Sequence, residues 1–163
     1  MNPDGPKAMY SRWLNEVWGE GHLEVNAELM ADDIVDQNPY EGQPKGRAGQ
    51  DWAVRMVRKA FPDLKFDLDL VVSDGEHVAG RWTMTGTNTG VLDLFNLPPT
   101  GRPVVMTGQE IFRVADGRFV EVWHQEDLPG MLDQLGLRPP RAMIRLAARR
   151  SARRYRRQPR IRA

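Results

Sequence analysis

Two Asp-Gly pairs, Asp74-Gly75 and Asp116-Gly117, each separate long runs in which apolar and polar residues alternate. Asp-Gly between alternating runs is the strongest short-range signal for a tight β-hairpin. Before the first pair, Leu64, Phe66, Leu68, Leu70 and Val72 alternate with Lys65, Asp67, Asp69 and Val71. Asp74-Gly75 turns this run into a second from Val78 to Thr87, and Asp116-Gly117 joins Val104–Val114 to Arg118–Gln125. A period of two with one wet face predicts four long antiparallel strands.

The preceding residues follow a helical period instead. Tyr10, Trp13, Leu14, Val17 and Trp18 form one apolar stripe, which Gly19 and Gly21 can end in left-handed geometry. A short second helix fits Leu23 to Met30, and Ile34 to Asn38 reads as extended because Asn38 precedes proline. Trp52, Ala53, Met56, Val57 and Ala60 form a third helix that Pro62 stops. Helices followed by a meander predict an α+β fold, a curved antiparallel β-sheet packed against three N-terminal helices. Twist curls such a sheet, and the space between its concave face and the helices becomes an apolar pocket. The Pro/Gly-rich connection from Thr89 to Pro103 is long enough to be its lid or rim.

At 163 residues with 40% hydrophobic content, one domain is expected. Charge divides it from its end: residues 138–163 hold eleven arginines and no acid, whereas 1–137 hold twelve basic and twenty-two acidic residues. The boundaries are therefore a domain over 1–137 and an Arg-rich C-terminal tail over 138–163, helical or disordered. The tail reads first as a solvated extension lying against an acidic body, with nucleic acid or an anionic surface as the other partner. There is no cysteine, hence no disulfide framework and no thiolate chemistry. No apolar run is long enough to span a bilayer, and with a polar N-terminus a cytoplasmic location is expected.

Within the last hairpin, Val104, Met106, Gly108, Phe112, Val114, Val120 and Val122 share a parity with two polar residues, Glu110 and His124. Burying that face brings a carboxylate and an imidazole together on adjoining strands. Such a pair suits general acid/base catalysis, with His124 taking a proton and Glu110 orienting it. A satisfied core pair is the bland alternative. Gln37 and Asn38 can reach the pocket or simply make the turn before Pro39. Asp127 can reach its mouth or cap the helix that follows. Arg81 alternates with Trp82, and parity alone leaves open which faces inward. Trp13, Trp52, Phe61 and Phe95 are candidates to wall the pocket. The opposite parity, Val105, Ile111, Phe119 and Trp123, is too apolar for an open face and predicts a homodimer.

His22, His77 and His124 have no metal-ligand spacing, no Gly-rich phosphate loop follows a strand, and no serine sits as a nucleophile. No metal or cofactor is expected.

Several segments resemble a known family. Asp36-Gln37-Asn38-Pro39, Ala60-Phe61-Pro62-Asp63-Leu64, Arg81-Trp82-Thr83 through Gly90, Leu97 to Arg102, and Phe112 through Arg118 leading to Asp133-Gln134-Leu135-Gly136 are similar to the SnoaL-like polyketide cyclases. The resemblance covers roughly residues 8–137. It implies the cone-shaped α+β barrel of the ketosteroid isomerase-like superfamily, usually dimeric, with a hydrophobic small-molecule substrate. In the founding cyclases an aspartate is the general base for an intramolecular aldol closure; the matching position here is His124. Their assisting histidine matches Glu110, an asparagine on the third helix matches Ala53, and the histidine of Asp-His-Asn-Pro is Gln37. Against limonene epoxide hydrolase, the arginine matches Arg81 while the two aspartates match Thr83 and His124. The reading is a cofactor-independent cyclase, isomerase or lyase acting on a polyketide-like molecule by aldol or epoxide-opening cyclisation. The alternative is a noncatalytic binding protein that uses the same pocket.

Overall fold

The computed structural model describes residues 5–137 and 141–157. Residues 138–140 and 158–163, part of the basic segment, lie outside them.

Helix α1 (Pro6–Arg12) opens with proline in its first turn and runs without a break into a wider π-helical stretch, Trp13–Glu20. Gly21 ends that stretch at φ 86°, as the spacing predicts. Arg58 also ties its end, donating to the carbonyls of Trp18 (2.8 Å) and Gly19 (2.7 Å). Helix α2 (Leu23–Leu29) leads straight into strand β1 (Met30–Asp36), and α3 (Arg47–Ala60) follows a Pro/Gly loop. Four strands then meander: β2 (Lys65–Ser73), β3 (His77–Thr87), β4 (Pro103–Ala115) and β5 (Arg118–Glu126). Helix α4 (Leu128–Gln134) follows β5, and α5 (Arg141–Arg157) carries eight of the eleven arginines of the basic segment.

The sheet order is β1-β5-β4-β3-β2, with β1 and β2 at its two edges, a curved sheet that does not close. Pairs β2–β3, β3–β4 and β4–β5 are antiparallel. Strand β1 differs from the expected antiparallel sheet: it enters from α2 and lies parallel to β5. The helices cover the concave face, where the even positions of β4 from Val104 to Phe112 and Trp82 of β3 are buried.

An aromatic chain holds helix to sheet. Trp13 meets Phe112 edge-on at 4.8 Å and Tyr10 at 5.5 Å, and Phe112 stacks on Phe119 at 4.2 Å. Each such pair adds about 0.5–1.5 kcal/mol beyond its burial. Phe119 corrects the expected parity. A bulge moves the pairing from Arg113↔Glu121 to Val114↔Phe119, which turns Phe119 into the core, fully buried, in place of Val120. A second irregularity between Leu68 and Leu70 turns Leu70 and Val72 outward and leaves Val71 half-buried.

The connection from Thr89 to Pro103 is not a lid over the cavity described below, because no residue of it lines that cavity. It folds against the C-terminus of α3: Gly90 N–H donates to Ala60 O, Lys59 pairs with Asp93, and Leu92 is buried.

Among the described residues, no helix is long and apolar enough to cross a membrane.

Candidate active site

Strands β4 and β5 set Glu110 directly opposite His124, both on the concave face. Their side chains nevertheless bond to other partners, which corrects the expected direct contact. Glu110 accepts from Tyr10 Oη at 2.6 Å and from Trp82 Nε1 at 2.9 and 2.7 Å. His124 Nε2 lies 3.1 Å from Asp36 Oδ1, and its Nδ1 lies 2.6 Å from Glu126 Oε1.

Room for the two donors on Glu110 comes from one glycine on β3 and one on β4, the strand of Glu110 itself. Gly80 pairs with Glu110, and a Cβ there would sit 2.2 Å from the Tyr10 ring. Gly108 pairs with Trp82, and a Cβ there would sit 2.3 Å from the indole. Only a residue without a side chain lets either ring lie flat on the sheet.

Burial is the largest influence on Glu110 and disfavours its charge. The Tyr10 and Trp82 donors pull the other way, Glu126 adds to the rise and His124 opposes it; the result is a carboxyl pushed up to about 7. Burial and the Glu110 charge push the Tyr10 phenol far above its ordinary range, so it stays a donor.

For His124 the balance is reversed. Burial opposes its charge, but hydrogen bonds and attraction from Asp36 and Glu126 outweigh burial and raise it to about 10. Each ring nitrogen faces a carboxylate oxygen, and only a doubly protonated imidazole can donate to both. Asp36 is itself held below its ordinary range despite burial, by His124 and by the Asn38 N–H and Gln43 amide. Gln50, buried on α3, donates to the same Asp36 oxygen at 2.8 Å. Asp36 thus positions the ring, and as an imidazolium His124 is suited to give a proton rather than to take one.

Two small cavities meet at these groups. One, about 30 Å³, is lined by Trp13, Trp18, Tyr40, Phe66, Trp82, Met106, Glu110 and Glu126, among others. The second, about 20 Å³, adds Gln50, Val122 and His124. Each has room for one or two waters. Outside lies an open groove of about 300 Å³ bounded by Asn38, Tyr40, His124, Gln125, Glu126 and Leu128. Tyr40, His124 and Glu126 line both sides and form the wall between inside and outside. The Tyr40 ring lies 5.4 Å from that of His124.

Of the residues singled out from sequence, Glu110, His124 and Trp13 meet at the cavity, and Asn38 faces the groove, its Oδ1 accepting from the His124 backbone N–H at 3.3 Å. The others are elsewhere. Arg81 is exposed on the outer face and paired with Asp69, because Trp82 takes the inward position. Gln37 is exposed and donates to Glu121 at 2.6 Å. Asp127 caps α4, accepting from Gly130 N–H at 2.9 Å. Phe61 is buried in the core, Trp52 is half-buried on α3, and Phe95 is exposed on a short 3₁₀ turn; none of them lines the cavity. Sequence reasoning missed Asp36, Glu126, Tyr40, Tyr10 and Trp18. The signal for Glu126 was its parity with His124; that for Asp36 was its place at the end of an extended segment. Among the described residues, no group of three or more His, Asp or Glu is disposed to hold a metal ion.

A family model for the SnoaL-like polyketide cyclases matches residues 8–135. Among solved structures, IdmH of Streptomyces antibioticus, a candidate polyketide cyclase, is 34% identical, covers 80% of this chain and 98% of its own, and superposes with a TM-score of 0.69. TsrD of Streptomyces laurentii is 26% identical over 80% of this chain and 94% of its own, with a TM-score of 0.73. AclR of Streptomyces galilaeus, a candidate hydroxylase, is 27% identical over 82% and 96%, with a TM-score of 0.70. No curated protein matches the chain. The family match over most of the domain, on a sheet and helices arranged as in these structures, makes this chain a member of the SnoaL-like polyketide cyclase family.

Proposed function

We propose that this protein is a cofactor-independent acid/base enzyme that cyclises or isomerises a hydrophobic, polyketide-like carbonyl compound. The observation that carries the reading is a buried carboxyl held near 7 in an apolar cavity, opposite an imidazolium fixed by two carboxylates. A base with a value near the working pH combines a usable ionised fraction with real proton affinity. Glu110 takes a proton from the carbon beside the substrate carbonyl: the C–H bond breaks, an O–H bond forms, and the electron pair moves into an enolate. The enolate carbon attacks a second carbonyl of the same molecule, and His124 gives its proton to the alkoxide that forms. Asp36 and Glu126 hold the ring for that transfer and stabilise its charge beforehand. The substrate enters through the outer groove, with the wall at Tyr40 moving aside. Aldol closure follows directly from this order; epoxide opening would use the same proton from His124.

Deuterium wash-in at the acidic carbon of 2-tetralone, followed by NMR in D₂O, tests the reading without the natural substrate. Wild type catalyses exchange, and Glu110→Gln lowers its rate by about a hundredfold or more. Equal rates in the two proteins remove the proposal.

The second reading, a noncatalytic pocket that holds an apolar ligand, is favoured by one observation: the polar atoms of Glu110 and His124 all have partners within the protein. We further propose a homodimer across the outer face of the sheet, where Trp123, Ile111, Ala79 and Val72 form one row across four paired strands.

A further inference from the structure

Two indole donors beside the inner cavity lack an acceptor, whereas the carboxylates of the cavity have donors. Glu110 is occupied by Tyr10 and Trp82, and Glu126 by His124. The indole N–H groups of Trp13 and Trp18, by contrast, are shut off from solvent without an acceptor. Both rings line the cavity that carries Glu110 and Glu126. An indole N–H donates and never accepts, and leaving one unmet in the interior is unfavourable.

These donors are held in place. Trp13 is wedged edge-on among Tyr10, Phe112 and Trp18, and Trp18 packs against Phe66 at 5.8 Å. Arg58 fixes the backbone beneath Trp18 through two carbonyls. Rigid donors in an apolar wall suit a ligand oxygen that only accepts. A ligand carboxylate would be repelled by Glu110 and Glu126, whereas a neutral ketone would not.

We propose that the Trp13 and Trp18 indoles receive the carbonyl oxygen of an aryl or polycyclic ketone and so set its enolisable carbon beside Glu110. The inference rests on the acid/base reading above. It adds the group that is recognised and the end that enters first. As the carbon loses its proton, charge gathers on the oxygen the indoles hold, and fixed donors there favour the transition state. A water molecule is the competing occupant of so small a space, and the ketone oxygen displaces it.

Two probes of nearly equal shape test this, 2-acetylnaphthalene and 2-ethylnaphthalene, titrated against wild type, Trp13→Phe and Trp18→Phe. Wild type prefers the ketone by about tenfold or more, and the phenylalanine variants cut that preference, read as the ratio of the two affinities in each protein, to about twofold. In wild-type protein labelled with ¹⁵N at the indoles, the Trp13 and Trp18 N–H protons move downfield with the ketone alone; this readout needs no variant to fold. Equal affinity for the two probes, a preference that survives both substitutions, or indole signals unmoved by bound ketone each overturn the inference. Failure of either probe to bind overturns it as well. The exchange of 2-tetralone, which depends on Glu110, then reports separately whether the acid/base reading stands.

Discussion

His124 carries its charge between two carboxylates that are as poorly exposed as it is, so removing the ring strands two anions together. His124→Ala is expected to cost about 3 kcal/mol, the lower range for breaking a buried ion pair, since Asp36 keeps its amide donors. The raised value sets the pH window. The folded protein holds this proton more tightly than the unfolded chain, so the stabilisation is full below about 6.5 and is lost as pH rises through about 10. Urea unfolding at about pH 6 and about pH 10 should therefore show the gap between wild type and variant narrowing at the higher pH. Activity should follow the same two groups. Exchange of 2-tetralone rises as pH passes about 7, where Glu110 ionises, and Glu110→Gln loses that limb. Catalysis that needs the His124 proton falls as pH passes about 10.

At the level of strands and helices, close approach rather than residue type decides what reaches the carboxyl. Gly108→Ala drives a methyl into Trp82, expected to cost about 1–3 kcal/mol and to break the indole's bond to Glu110. Losing a donor to the charged form raises the Glu110 value further, so the acid limb of the exchange profile should move to higher pH. An unshifted limb would mean that Trp82 does not hold the carboxylate. The bulges show where alternation stops being a guide. The irregularity at Leu70 exchanges the faces of the rest of β2, whereas the one at Val114 acts locally: Phe119 packs where Val120 was expected, while Val122 and His124 keep the expected face. Nothing local in Val120 or Phe119 announces the change, because a bulge is a compromise between two paired strands and the core behind them.

For the whole molecule, apolar side chains on the convex face remain uncovered in a single chain: Leu70, Val72, Val105 and Ile111 are all exposed. A patch of that kind marks an interface. Wild type is expected to sediment as a dimer in the micromolar range, and Ile111→Glu to shift it to monomer without loss of helical and strand signal by circular dichroism. A monomeric wild type would remove the dimer. The inner space is the other property of the whole. Cavities of about 30 and 20 Å³ lie behind a groove of about 300 Å³, and a polyketide-sized ligand needs the wall at Tyr40 to open. Tyr40→Ala should join the spaces and quicken ligand entry, which stopped-flow quenching of tryptophan fluorescence would follow.

The sequence by itself determined the α+β class, the hairpins, the helical ends and the shared face of Glu110 and His124. Hydrophobic period, Asp-Gly turns and proline act over a few residues and leave their mark in order along the chain. Only the tertiary structure decided that Asp36, from the edge strand β1 that pairs with β5, and Glu126 would clasp His124, that Tyr10 and Trp82 would hold Glu110, and that Arg81 and Asp127 would be spent on other contacts. Those partners are separated by up to 100 residues, as Tyr10 and Glu110 are. Which donor meets which acceptor depends on sheet order, bulges and two glycines that let rings lie on the strands, none of which is encoded locally. The protonation of His124 follows from the same cause: its charge is set by neighbours that the fold, not the spacing, brings to it.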